Sequence, residues 1–99
     1  MTDEQKKRAA YQDKLKAQLN EWQGEIDKLN AKVEKVEAEA KIEYQKQIDK
    51  LKALQDESWD YFEKLRNASE RHWDEIKAET ELKWTKMNNA LKAAFDKLK

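Results

Sequence analysis

Large apolar residues recur along this chain in a single helical phase, separated by polar ones. They stand at Tyr11, Leu15, Leu19, Trp22, Ile26, Leu29, Val33, Val36, Ala40, Tyr44, Ile48, Leu51, Leu54, Phe62, Leu65, Trp73, Ile76, Trp84, Met87, Leu91, Phe95 and Leu98. At about 100° per residue the whole set lies within a sector of roughly 140°, which is one amphipathic face and not a scatter of hydrophobes. No proline and only one glycine interrupt the stripe. The pattern predicts an all-α chain, either one long amphipathic helix or a two-helix hairpin.

The spacing within the stripe predicts how it packs. From Leu15 to Ala40 the steps alternate by four and three, so Leu19, Ile26, Val33 and Ala40 form one heptad set and Leu15, Trp22, Leu29 and Val36 the other. Beyond residue 50 an eleven-residue step stands out, with Leu51, Phe62, Trp73, Trp84 and Phe95 in one column and Leu54, Leu65, Ile76, Met87 and Leu98 in the next. Eleven residues in three turns is about 3.67 per turn, so the expectation is a coiled coil with heptads in the first half and hendecads in the second. A third column, Ser58, Ser69, Thr80 and Leu91, carries small or polar residues beside the aromatics, which leaves room opposite bulky rings.

The start of the helix is marked clearly and its interruptions weakly. Thr2 and Gln5 have capping-box spacing, and Asp3 and Glu4 sit where the helix dipole favours anions, so helix is expected from about residue 3. Gly24 falls on the solvent side of the heptad register. Cap-type residues cluster at 55–58 and at 67–70, the second with the Asn-x-x-Glu form of a capping box, and a helix break is expected near one of these if anywhere. The stripe keeps phase through both, which favours continuous helix within one coiled-coil domain covering residues 1–99.

An uninterrupted helix of this length would be about 150 Å long and would leave its whole apolar stripe wet. Each large side chain left exposed forfeits roughly 1.5–3 kcal/mol, so the stripe has to meet a second helical surface. That surface is expected to come from a homo-oligomer or from an intramolecular hairpin. The helix-helix interface is then predicted to consist of Leu15, Leu19, Trp22, Ile26, Leu29, Val33, Val36, Ile48, Leu51, Phe62, Leu65, Trp73, Ile76, Trp84, Met87, Leu91, Phe95 and Leu98. Gln47 and Gln55 are polar members of the same face; buried, they would hydrogen-bond across the seam and fix its register.

Composition narrows the function classes. Charged residues make up 42% of the 99 and hydrophobic ones 38%, with a net charge of zero and four Trp, three Tyr and two Phe. Disordered chains have few aromatics and a large net charge, so disorder is excluded as the main state. Basic and acidic residues balance 11 to 11 in residues 1–50 and 10 to 10 in residues 51–99, so no field invites nucleic acid. Lack of cysteine removes disulfides and thiolate metal sites and fits a reducing compartment. Neither a signal peptide nor a membrane span is visible, so the expectation is a cytoplasmic protein.

Chemistry-bearing constellations are absent from the pattern. His72 is the sole histidine, and its helical neighbours Ala68, Ser69, Glu75 and Ile76 include one metal-ligating type, where zinc or di-iron would need three or four. No carboxylate occupies an apolar position beside a charged companion, and no nucleophile elbow or phosphate loop occurs. No catalytic residue, metal ligand, cofactor or small-molecule substrate is therefore expected. Trp22, Trp59, Trp73 and Trp84 read as packing knobs in preference to a ligand cage.

One segment suggests a different partner. Residues 82–99 hold five lysines, Lys83, Lys86, Lys92, Lys97 and Lys99, against the single acid Asp96, with Trp84, Met87, Leu91, Phe95 and Leu98 on the other side. That is the composition of a helix lying on an anionic membrane surface, with the lysines toward the lipid headgroups. Residues 56–81 carry nine acids against four bases, so the alternative is that acidic and basic segments pair across a helix interface.

The run Leu19-Asn20-Glu21-Trp22 through Ile26-Asp27-Lys28-Leu29 to Gln47-Ile48-Asp49-Lys50-Leu51, followed by the Trp73, Trp84 and Phe95 repeat, resembles a group of small bacterial coiled-coil proteins. The likeness spans most of the chain. Members are described as stress-response proteins, with eleven-residue repeats similar to those of apolipoproteins and late-embryogenesis protectants. The resemblance implies a non-enzymatic, self-associating structural protein with a protective role in stress, and it supplies no catalytic residue.

Overall fold

The computed structural model describes residues 2–97, in which the chain forms three helices and turns back on itself twice. Helix α1 spans Asp3–Val33, α2 spans Ala38–Arg66 and α3 spans Trp73–Lys97, with no strand among the described residues. The helices run up, down and up in a bundle of 55 × 18 × 18 Å. Helices α1 and α3 are parallel, since Tyr11 meets Trp73 at one end and Trp22 meets Trp84 further along. Helix α2 runs against both, linked by Gln55 to Gln23 of α1 and by Glu57 to Lys83 of α3.

The all-α expectation holds, and the stripe is covered by the chain's own helices. Neither the single long helix nor the two-helix hairpin is the arrangement found, because there are two turns instead of none or one. The bundle follows from segment length. A helix of 31 residues is about 46 Å long, so three such segments laid side by side cover one another's seams end to end.

Helix α1 begins as its sequence predicts. The Gln5 backbone N–H donates to Thr2 Oγ1 at 3.2 Å, and the Thr2 N–H donates to Gln5 Oε1 at 3.1 Å. The turns match the sequence less well. The break expected near 67–70 is present, but Asn67 closes α2 instead of opening α3, its side-chain amide donating to the Glu63 carbonyl at 3.0 Å. The Ser69 carbonyl accepts from the His72 and Trp73 N–H groups and starts α3.

No break occurs at 55–58, where α2 runs straight through and buries Gln55 and Ser58. The turn at 34–37 has no counterpart in the expectations, because Glu34-Lys35-Val36-Glu37 contains no Gly, Pro or Asn. It ends the heptad run early: Val36, expected at the helix interface, lies half-buried in the turn.

The hendecad reading finds no support. Buried α2 residues Ile48, Gln55 and Phe62 are seven apart, as are Leu51, Ser58 and Leu65. In α3 the sets are Trp73, Thr80, Met87 and Ala94, and Trp84 with Leu91, again seven apart. An eleven-residue step is a heptad plus four, so it crosses once from one heptad set to the other within each helix and once over the turn at 67–72. The column fails at its next step, where Ala94 takes the buried position and Phe95 is only half-buried. All three helices therefore carry heptad seams.

Candidate functional site

The surfaces by which these helices recognise one another are the feature of the molecule with most built-in specificity. Helix α1 contributes Leu15, Leu19, Trp22, Ile26, Leu29 and Val33, all buried. From α2 come Ile48, Leu51, Phe62 and Leu65, and from α3 Trp73, Trp84, Met87 and Leu91. Of the remaining predicted interface residues, Ile76 and Phe95 pack half-buried against this core, Val36 lies in the first turn, and Leu98 falls outside the described residues.

The backbones of α2 and α3 lie closest together and those of α1 and α3 farthest apart. Small side chains at heptad positions suit such close approach. Ser58 and Thr80 are fully enclosed at heptad positions, and each hydroxyl donates to the carbonyl four residues back in its own helix, Ser58 to Leu54 at 2.8 Å and Thr80 to Ile76 at 2.7 Å. They are thus satisfied without a cross-helix partner. Gln55 is buried and donates to Gln23 Oε1 of α1 at 3.0 Å, the register-fixing bond expected of a polar seam residue.

Aromatic rings fill the wider gap between α1 and α3. Trp22 and Trp84 meet at 5.1 Å between ring centroids, and Tyr11 and Trp73 meet edge-on at 6.2 Å. Trp22 Nε1 donates to Asn88 Oδ1 at 3.1 Å, whereas Trp84 Nε1 is buried without a hydrogen-bond partner among the described residues. Cations close the rim: Arg8 lies 4.9 Å and Lys77 4.8 Å from the rings of Trp73 and Tyr11, and Lys32 lies 5.5 Å from Phe95.

Tyr11 donates its phenol to Glu81 at 3.2 Å, and its pKa is pushed up from 10.0 to about 12, by burial first and then by the neighbouring carboxylate. Trp59 stacks edge-on against Phe62 at 5.8 Å, and all four tryptophans belong to the core or pack against it.

Sequence reasoning missed several of these residues. Ala94 carries too little hydrophobicity to announce itself, and only its seven-residue step from Met87 gives it away. Gln23, Glu81, Asn88 and Arg8 are polar residues flanking a seam, and nothing local tells them apart from solvent-facing neighbours.

Of the C-terminal lysines, Lys83 bonds Glu57 of α2 at 3.1 Å and lies 5.5 Å from the Tyr61 ring, one pair of the acid-base kind. Lys86, Lys92 and Lys97 are exposed, and Lys99 falls outside the described residues. The apolar side of the same helix, Trp84, Met87 and Leu91, is buried inside the bundle. No described helix is long and apolar enough to cross a membrane.

His72 is exposed, with Nδ1 3.8 Å from Glu75 Oε2. Among the described residues no three His, Cys, Asp or Glu side chains converge as a metal site would need. No protein-family model matches the chain, and neither a curated protein nor a solved structure matches it.

Proposed function

We propose that this chain is a non-enzymatic helical interaction protein that associates with copies of itself, in the stress-protective setting the sequence resemblance implies. The supporting observation is that all three helices bury heptad seams. Such seams pack by shape and spacing, which a neighbouring chain's helices reproduce as well as the chain's own. The buried polar side chains among the described residues are Gln55, Ser58 and Thr80, none of them ionisable. A reducing compartment such as the cytoplasm suits a chain without cysteine.

Mass in solution, measured together with helicity across a concentration series, tests this reading. The mass is expected to rise with concentration while helicity stays constant, and a fixed monomer mass at every concentration would overturn it. Sedimentation with anionic vesicles in the same series addresses the lipid-surface alternative. Binding there would require α3 to leave the bundle, because its apolar side is already occupied.

A further inference from the structure

We infer that two copies of this chain exchange their α1 arms, with residues 34–37 as the hinge. The inference rests on the self-association proposed above and names its route. Three observations at the first turn carry it.

The first is that α1 has no stop. About a third to a half of helices end on a left-handed residue, and none stops α1, since no described residue has positive φ. Glu34 is still helical at φ −62° and ψ −23°, and the Lys35 and Val36 N–H groups continue as tightened helical turns, bonding to Lys32 at 3.1 Å and Val33 at 3.2 Å. By Glu37 the chain has left the helix: its φ of −64° is helical and its ψ of 152° is not. Returning that ψ and the backbone of 35–36 to helical values joins α1 to α2.

The second is that α2 begins without a cap. Glu37 makes no side-chain hydrogen bond to the first turn, in contrast to the reciprocal capping box at Thr2 and Gln5. The orphan groups on either side of the turn would pair with one another in a continuous helix.

The third is phase. Val33, Val36 and Ala40 continue the three-four alternation across the turn, so opening it sets Val36 and Ala40 on the same apolar face as both helices. The joined helix runs from residue 3 to residue 66, which is 64 residues and about 96 Å. Its α1 half would lie on the partner's α2 and α3, and the two hinge segments would meet at the centre, a contact the closed chain lacks. The second turn is the poorer hinge, because Asn67 caps α2 and the Ser69 carbonyl binds two N–H groups there. The closely packed α2–α3 hairpin therefore stays shut while α1 exchanges.

Ala38→Pro tests the hinge. A proline at the first helical position suits the closed form, holds Glu37 extended, and cannot sit inside a continuous helix. Refolded from denaturant at high chain concentration, the native sequence is expected to yield dimer, and Ala38→Pro is expected to lower the dimerisation constant by about 100-fold or more with monomer helicity unchanged.

A second measurement keeps the inference exposed to failure if that variant does not fold. Asn30 and Gln45 line the same cleft between α1 and α2. In the dimer of an Asn30→Cys and Gln45→Cys variant treated with a short bismaleimide, exchanged arms give covalent dimers on a denaturing gel. Dimer bridged only within single chains, or dimer undiminished by Ala38→Pro, would overturn arm exchange and leave self-association standing. No dimer under any condition would overturn both.

Discussion

The α2–α3 seam and the α1–α3 face use the same heptad spacing and solve the packing problem in opposite ways. At the first, Ser58 and Thr80 are small and bonded to their own helices, and the backbones come close. At the second, Trp22, Trp84, Tyr11 and Trp73 hold the helices apart and rely on polar and cationic edges for orientation. Repeat length thus sets which residues face inward, and side-chain size sets how near the helices approach. The close seam should be intolerant of growth and the wide face intolerant of loss.

The largest effect is expected at the wide face. Trp22→Ala removes a ring that is 5% exposed, its contact with Trp84 and the bond to Asn88. Such truncations cost about 3–5 kcal/mol, a large share of the stability of a domain this size. Denaturant unfolding is expected to show a clearly lowered midpoint. A loss below about 1 kcal/mol would mean that α1 and α3 do not depend on the ring pair.

The close seam is probed by the reverse change. Ser58→Leu adds bulk at a site with no exposure and should cost about 1–3 kcal/mol through overpacking, although leucine is the better helix former. Thr80→Val keeps the branched shape and removes a hydroxyl satisfied within its own helix, so it should change stability by less than about 1 kcal/mol. If Ser58→Leu were as well tolerated as Thr80→Val, close approach would not be the reason for the small residue.

These contrasts also show what could be read from the chain in advance. Leu19, Ile26, Leu29 and Met87 are legible as core because their hydrophobicity and their phase agree. The capping box at Thr2 and Gln5 is legible because both its partners are local. The turn at 34–37 was not, because nothing in Glu34-Lys35-Val36-Glu37 opposes helix; the fold-back there is decided by burial of distant seams and not by local preference. The eleven-residue columns have a related origin: a heptad pattern, sampled across a turn, reproduces that step for a few members. Partners such as Asn88 for Trp22 and Glu81 for Tyr11 are 66 and 70 residues away, beyond the reach of any periodicity.

A change that touches neither interface separates helix propensity from packing. Gly24 lies on the exposed side of α1, and a Cβ there would meet nothing within 4 Å. Gly24→Ala should stabilise the bundle by about 0.5–1 kcal/mol, read as a higher unfolding midpoint with an unchanged denaturant slope. The same gain should appear in the Ser58→Leu background, where the sites are distant and share no partner. A gain that vanished in the Trp22→Ala background would show that α1 frays once the wide face is lost.

The smallest effect at neutral pH is expected for Tyr11→Phe, which removes an exposed hydrogen bond at the rim and should cost less than about 1 kcal/mol. Its signature lies in alkali. The phenol releases its proton near 10 in the unfolded chain and at about 12 in the bundle, so its contribution is complete below pH 10 and is lost as the pH climbs from 10 through 12. Over that window the native sequence should lose stability more steeply than Tyr11→Phe. Glu81→Gln should bring the phenol only part of the way back toward 10, because the carboxylate's contribution disappears while burial, the largest cause, persists. Parallel curves for the native sequence and Tyr11→Phe would mean that the wide face does not hold Tyr11 against Glu81 in solution, and that rings alone set its spacing.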